Sequence, residues 1–129
     1  MMIIKSVVVS LKRKFYMNVR ESIKPGLFNS LDKSHIVVLI TIYELTTKYN
    51  RKELIASEVA MASPLSRPSA FKAIEDLERL GLIKIEKVTI GKRTFKKIEL
   101  TSLGREITEL LVRIRDTYEM KMRDNAKEN

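Results

Sequence analysis

Few side chains in this sequence could do covalent chemistry. The 129 residues contain no cysteine and one histidine, His35, which excludes thiolate nucleophiles and thiol redox sensing because both need the sulfur. The sequence has no nucleophile elbow, no glycine-rich phosphate loop and no cluster of metal ligands. We therefore predict no enzyme, no metal and no cofactor, and a structural role for His35, since no partner for metal binding or base catalysis accompanies it.

The side chains that could bind a ligand are cationic. The formal net charge is +9. Residues 101–129 carry six basic and six acidic side chains, so the whole excess lies in residues 1–100. This distribution predicts a surface that faces a polyanion and a charge-balanced segment suited to pairing with a second copy. A basic composition that only aids solubility is the alternative.

The first 23 residues carry apolar side chains at a spacing of three or four from Ile4 to Ile23. This spacing predicts a helix that ends at Pro25-Gly26, although the β-branched run Val7–Val9 would also suit a strand. Lys5 and the cations that follow interrupt the apolar start, unlike a signal peptide, and no run approaches the roughly 20 apolar residues of a membrane span. We expect a cytoplasmic protein with no membrane partner.

Two short helices separated by a turn are predicted in the middle of the chain. A buried helix capped by Asp32 and ending near Asn50 precedes them. Ser57 is predicted to cap a helix that ends before Ser63-Pro64, because proline breaks the hydrogen-bond ladder. The second helix, residues 66–80, would end at Gly81 in the left-handed conformation. This is the helix-turn-helix arrangement, whose second helix enters the major groove of DNA.

A basic β-hairpin follows Gly81. Residues 82–89 and 94–100 are predicted strands, joined by a turn at residues 90–93. Its central part, residues 88–96, is a wing whose tip could reach a minor groove or the phosphates, unless the tip is only solvated. The hairpin's basic residues are Lys84, Lys87, Lys92, Arg93, Lys96 and Lys97.

Thr101 is predicted to cap a last helix with one apolar stripe. Roughly 22 helical residues would reach about 33 Å at 1.5 Å per residue, longer than a small domain covers by itself. We therefore predict that this stripe, with an apolar face of the first helix, forms a homodimer interface. The predicted interface residues are Val8, Leu11, Phe15, Leu103, Ile107, Leu110, Leu111, Ile114 and Tyr118.

Three segments resemble the MarR-type winged helix-turn-helix regulators. LSRPSAFKAIEDLERLGLI, residues 65–83, is similar to their recognition helix and following strand, and SEVA, residues 57–60, to the preceding helix. LTSLGR, residues 100–105, resembles their strand-to-helix step. The chain is rich in Ile and Lys and most resembles small archaeal, archaeal-virus or plasmid members.

The resemblance implies a mainly α fold with a small β-hairpin (α+β), a winged helix-turn-helix with flanking N- and C-terminal dimerisation helices. The expected domains are an arm at 1–30, a DNA-binding domain at 31–100 and a dimerisation helix at 101–129. The implied function is homodimeric, sequence-specific binding of double-stranded DNA in transcriptional regulation at the nucleoid. A plasmid-partition or chromatin-architecture protein, and a protein-interaction module without DNA binding, are the alternatives.

The resemblance also implies which residues contact DNA. Arg67 suits a guanine edge and Lys72 a phosphate, whereas Phe71 either packs on the rim of the core or meets a thymine methyl. Pro68 departs from the pattern because it removes a backbone N–H from the helix start. A small aromatic effector is compatible with the family, but no residue demands one. The predicted DNA-binding residues are Ser66, Arg67, Ser69, Phe71, Lys72, Lys92, Arg93 and Lys96.

Overall fold

The computed structural model describes residues 2–128, which divide into two compact units on either side of the boundary between Ser30 and Leu31. The second unit contains a small antiparallel sheet with strand order β1-β3-β2. In chain order the elements are α1 (Met2–Ser22), a 3₁₀ helix (Gly26–Asn29), α2 (Lys33–Thr47), β1 (Leu54–Ile55), α3 (Ala56–Ala62), α4 (Arg67–Arg79), β2 (Ile83–Ile90), β3 (Arg93–Leu100) and α5 (Ser102–Glu128).

The first unit is helical. Residues 2–22 form α1, so the helical alternative holds for this segment and Val7–Val9 lie inside the helix. The Ser22 hydroxyl donates to the Val19 carbonyl at 2.8 Å as the helix ends. All side chains described in α1, from residue 6 onward, are exposed.

Helix α2 forms the centre of the second unit. Asp32 caps it as predicted, because the carboxylate accepts the backbone N–H groups of Ser34 and His35 at 2.8 and 3.3 Å. The reciprocal half of this capping box is His35, whose Nδ1 accepts the Asp32 N–H at 3.0 Å. The helix ends at Thr47, and Asn50 then adopts φ +51°.

The prediction for the start of α3 is wrong. Ile55, not Ser57, occupies the capping position, and no side-chain hydrogen bond caps the helix. Leu54 and Ile55 are extended because they pair with Ile98 and Lys97 and add a third strand to the predicted hairpin. The pairing holds the chain in the β conformation up to Ala56, so the helix starts as soon as the strand ends.

Helix α4 confirms the predicted second helix of the motif. Ser66 caps it, and Gly81 follows its end with φ +77°. On one face of α4, Ala70, Ala73, Ile74 and Leu77 are buried, whereas Leu80 is half-buried. They belong to one core with apolar residues of α2, α3, the α4–β2 connection and the sheet, namely Val38, Leu39, Ile42, Leu54, Val59, Leu82, Ile83 and Ile98.

The hairpin is tighter than predicted. Strands β2 and β3 pair over their full length, from Ile83 opposite Leu100 to Ile90 opposite Arg93. Only Gly91 and Lys92 form the loop, with Gly91 at φ +65°. A two-residue loop with glycine first matches the twist of the paired strands, so the wing stays regular to its tip.

Helix α5 begins at a close approach to the α4–β2 connection. Thr101 caps it, since its hydroxyl accepts the Gly104 N–H at 3.0 Å and donates to the Gly81 carbonyl at 2.7 Å. One turn later Thr108 is fully buried and donates to the Gly104 carbonyl at 2.6 Å. The helix is 27 residues long, which exceeds the prediction, and the side chains described after residue 115 are all exposed.

Across residues 2–128, no helix is long and apolar enough to cross a membrane. Within the same residues, no group of three or more His, Asp or Glu side chains is placed to hold a metal ion.

Candidate nucleic-acid interface

The start of α4 carries the predicted base-reading side chains. Ser66 Oγ accepts the Ser69 N–H at 3.3 Å and donates to Ser69 Oγ at 2.8 Å. Ser66 is therefore engaged in capping the helix, whereas Ser69 Oγ keeps its own proton for an outside acceptor. Both serines are exposed.

Arg67 and Lys72 are the free cations of this helix. Both are exposed, and neither forms a salt bridge with the side chains of residues 6–127, which are those described. Arg67 is the first residue of α4, and Pro68 follows it at the position where the helix would otherwise offer a second free N–H. An anion at this helix start must therefore bind mainly to side chains and not to a row of backbone N–H groups.

The acidic side chains of α4 lie further along the helix. Asp76 is tied to α2, because its Oδ2 lies 2.9 Å from Nε2 of His35, and it also pairs with Arg79. The hydrogen bond with His35, followed by the one with Arg79, holds the pKa of the Asp76 carboxyl below its usual value of 3.8. His35 is structural, as predicted, but its second partner was missed because the two residues are 41 positions apart.

Phe71 lies at a groove between α4 and the sheet. Its side chain is half-buried, which agrees with packing on the rim of the core. The groove has a volume of about 250 Å³ and is also lined by Ser57, Thr94 and Lys96. It brings Lys96, a predicted DNA contact of the wing, into one surface with α4.

The wing places Lys92 in its loop and Arg93 opposite Ile90 at the start of β3. Both cations are exposed, and Ile90 is 67% exposed beside them. Further from the tip, Lys96 lies opposite Lys87, and both are exposed. Lys92 and Arg93 thus lie at the end of the hairpin as predicted, although Arg93 belongs to β3, and Lys87 is a further cation that faces Lys96.

The predicted apolar stripe of α5 divides into two parts. Ile107 and Leu111 are half-buried within the second unit. The other four side chains are more than half exposed: Leu103, Leu110, Ile114 and Tyr118. In the first unit, Val8, Leu11 and Phe15 are exposed on α1.

A cavity of about 380 Å³ lies beside α2 and α5 in the second unit. Ile40, Leu45 and Tyr49 line it together with an ion pair in which Arg115 donates to Glu44 at 3.1 Å. The pKa of Glu44 is lowered, first by its hydrogen bond with Lys48 and then by that with Arg115. The cavity is large enough for a small molecule, but its charges are already paired.

No protein-family model and no curated protein matches the chain. Among solved structures, the adhesin competence repressor of Streptococcus pyogenes is similar with a TM-score of 0.61 at 16% identity, covering 97% of this chain and 82% of that one. A transcriptional regulator described as MarR family, from Porphyromonas gingivalis, has a TM-score of 0.55 at 22% identity, over 76% of this chain and 85% of that one.

A transcriptional regulator homologue from Pyrococcus horikoshii has a TM-score of 0.51 at 28% identity, covering 70% of this chain and 90% of that chain. All three proteins are described as regulators or repressors. The similarity to these structures agrees with the order of elements in this chain, where a helix-turn-helix is followed by a hairpin and a long helix. The chain is a winged helix-turn-helix protein with the fold of MarR-type transcriptional regulators.

Proposed function

We propose that this protein regulates transcription by binding double-stranded DNA as a homodimer, with α4 in the major groove and the wing at the minor groove or the phosphate backbone. The observation that carries the proposal is the placement of unpaired cations. Arg67 and Lys72 on α4, with Lys92 and Arg93 on the wing, are exposed and lack a salt bridge within the described residues.

The chemistry of these side chains fits two different tasks. A guanidinium at the start of a recognition helix can donate two hydrogen bonds to a guanine edge, which discriminates between bases. A flexible lysine, or a cation at a hairpin tip, neutralises phosphate with little regard to sequence. The arrangement therefore supports both sequence reading and general affinity.

The exposed apolar residues of α5 and α1 support the proposed homodimer. Leu110 and Ile114 are 55% and 67% exposed on a helix that is otherwise charge-balanced, and such a stripe is normally covered. A twofold dimer would present two recognition helices to two half-sites about one helical turn apart. The proposal places the protein in the cytoplasm, at the nucleoid.

The test is selection of bound duplexes from a random DNA pool, with the mass of the complex in solution measured alongside. We expect a short pseudo-palindromic site. Arg67→Ala should lower affinity for that site about 10-fold and relax one position, whereas Lys92→Ala with Arg93→Ala should weaken all sequences and reduce the salt slope by about 2.

Lys121→Ala is the matched control, since it removes one exposed cation from the far part of α5. It should leave affinity within about twofold, because it touches no predicted phosphate contact. Absence of duplex binding at low salt would contradict the proposal. An extended footprint over tandem sites would instead assign the protein to DNA architecture or partition.

A further inference from the structure

The base of the wing and its tip differ in how their charges are balanced. At the base, Lys84 lies opposite Glu99, and Glu86 lies opposite Lys97. Lys97 also donates to Glu53 at 3.1 Å. Each of these four charged side chains thus faces a side chain of opposite charge on the neighbouring strand.

Midway between the base and the tip, this balance of charge is lost. Lys87 lies opposite Lys96, and among the side chains described, those of residues 6–127, no carboxylate forms a salt bridge with either. Side chains directly opposite in an antiparallel pair have Cβ atoms about 4.5–5.5 Å apart, where like charges repel and destabilise the sheet. The lysine pair therefore does not stabilise the free protein. An anion bound between the two ammonium groups would offset their repulsion.

The face of the sheet to which the pair belongs is set by the alternation of side chains. Lys87 and Lys96 share that face with Ile85 and Ile98, and Ile98 is buried in the core. Beyond the lysines, the same face carries Thr89 and Thr94, whose hydroxyl oxygens lie 3.3 Å apart. From base to tip, this face therefore changes from apolar to cationic to hydroxyl-bearing.

This face continues towards the recognition helix. Lys96 and Thr94 line the same groove as Phe71 of α4 and Ser57 of α3. An anion held by the lysine pair would thus lie alongside the helix that is proposed to enter the major groove. A DNA strand that borders that groove supplies such anions at regular intervals.

We propose that Lys87 and Lys96 act as a pair that binds a phosphate of the DNA backbone on the α4 side of the wing, with the hydroxyls of Thr89 and Thr94 as neighbouring donors. The proposal rests on the proposed function and adds Lys87 to the interface. Phosphate between two ammonium groups turns their repulsion into attraction, so the strain of the free hairpin is relieved on binding.

The test compares Lys87→Gln with Lys84→Gln, which removes the same charge from the same strand where a glutamate lies opposite. Affinity for a duplex is measured by fluorescence anisotropy over a range of salt concentrations. Lys87→Gln should bind about 5-fold more weakly, with a salt slope lower by about 1, while Lys84→Gln stays within about twofold of the unmodified protein.

Thermal unfolding gives a second readout that needs no DNA. Removing one member of a repelling pair should place the midpoint of Lys87→Gln about 2 °C above that of Lys84→Gln at low salt. Heparin, a soluble polyanion, should stabilise the unmodified protein more than it stabilises Lys87→Gln.

The outcomes separate this inference from the proposed function. Equal duplex affinities and equal heparin responses of the two variants would overturn the lysine pair even if the protein binds DNA. If the unmodified protein binds no duplex, the proposed function fails. A heparin response that depends on Lys87 would in that case still support an anion site at the pair.

Discussion

At the scale of single residues, Gly104 is the position with the least room for change. A Cβ atom at this residue would lie 1.8 Å from the Leu82 carbonyl oxygen and 2.8 Å from its carbon, both of which are backbone atoms. The approach is fixed from both sides, because the Thr101 N–H donates to that same carbonyl at 3.0 Å. Glycine here lets α5 start against the turn that ends α4.

Gly104→Ala should therefore lower the free energy of unfolding by about 3 kcal/mol, because the backbone must shift to admit the methyl group. Urea denaturation monitored by circular dichroism measures the loss. Arg105→Ala is the control: it changes an exposed neighbour and should cost less than about 0.5 kcal/mol. A Gly104→Ala protein as stable as the control would show that α5 can move away from Leu82 freely.

The side-chain hydrogen bonds differ in how well the sequence predicts them, because some are local and others join distant parts of the chain. Asp32 and Thr101 were predicted as caps because the backbone groups that they bind lie within three residues. The hydrogen bond between His35 and Asp76 spans 41 residues, so only the packing of α2 on α4 reveals it. The position of Lys87 opposite Lys96 could be predicted from the sequence, because a two-residue loop at Gly91-Lys92 fixes which residues of the two strands pair.

At the scale of elements, α4 is held in place partly by the bond from α2. His35 Nδ1 accepts the Asp32 N–H in the cap of α2, so its Nε2–H donates to Asp76 of α4. The lowered pKa of Asp76 means that its ionised form is favoured in the folded state. This contribution to stability is present above the usual value of 3.8 and is lost as the pH falls through the lower value of the folded state.

We expect Asp76→Ala to be less stable than the unmodified protein at pH 7, and the gap to close as the pH falls below 3.8. Urea denaturation at a series of pH values measures the gap. Glu75→Ala is the control and should be about as stable as the unmodified protein at pH 7, because Glu75 is exposed and forms no salt bridge with the side chains described. A gap of equal size at pH 7 and pH 3 would contradict the assignment to the ionised carboxyl.

The elements themselves differ in how well the sequence predicts them. Helix α4 has a serine cap, a buried face of four apolar residues and a terminal glycine, so pattern and packing agree. Strand β1 has only two residues, too few for any alternation, and its existence depends on β3 lying alongside. Because the sequence did not predict β1, the predicted start of α3 was also wrong.

At the scale of the whole molecule, assembly depends on the part of α5 that its own chain leaves uncovered. The buried side of the helix is marked by Gly104 and Thr108, whereas Leu110 and Ile114 are exposed. The sequence predicted a single stripe on α5. The spacing of apolar residues does not distinguish those that pack within the chain from those that its own chain leaves exposed. The interface itself stays a prediction.

Ile114→Glu should convert the proposed dimer into a monomer. Twofold symmetry places two carboxylates in one apolar interface, where each loses its hydration without a partner. Met120→Glu is the matched control, because Met120 is 57% exposed and lies about 120° around the helix from Ile114. Sedimentation equilibrium measures the mass of each variant.

The same pair of variants links assembly to DNA binding. A dimer binds two half-sites with one association, whereas a monomer loses the second contact and the gain that comes from tethering it. Ile114→Glu should therefore protect only a half-site and bind a full site at least about 100-fold more weakly, while Met120→Glu keeps the full footprint. A dimeric Ile114→Glu protein with an unchanged footprint would remove α5 from the interface and leave the stripe of Val8, Leu11 and Phe15 on α1 to account for the dimer.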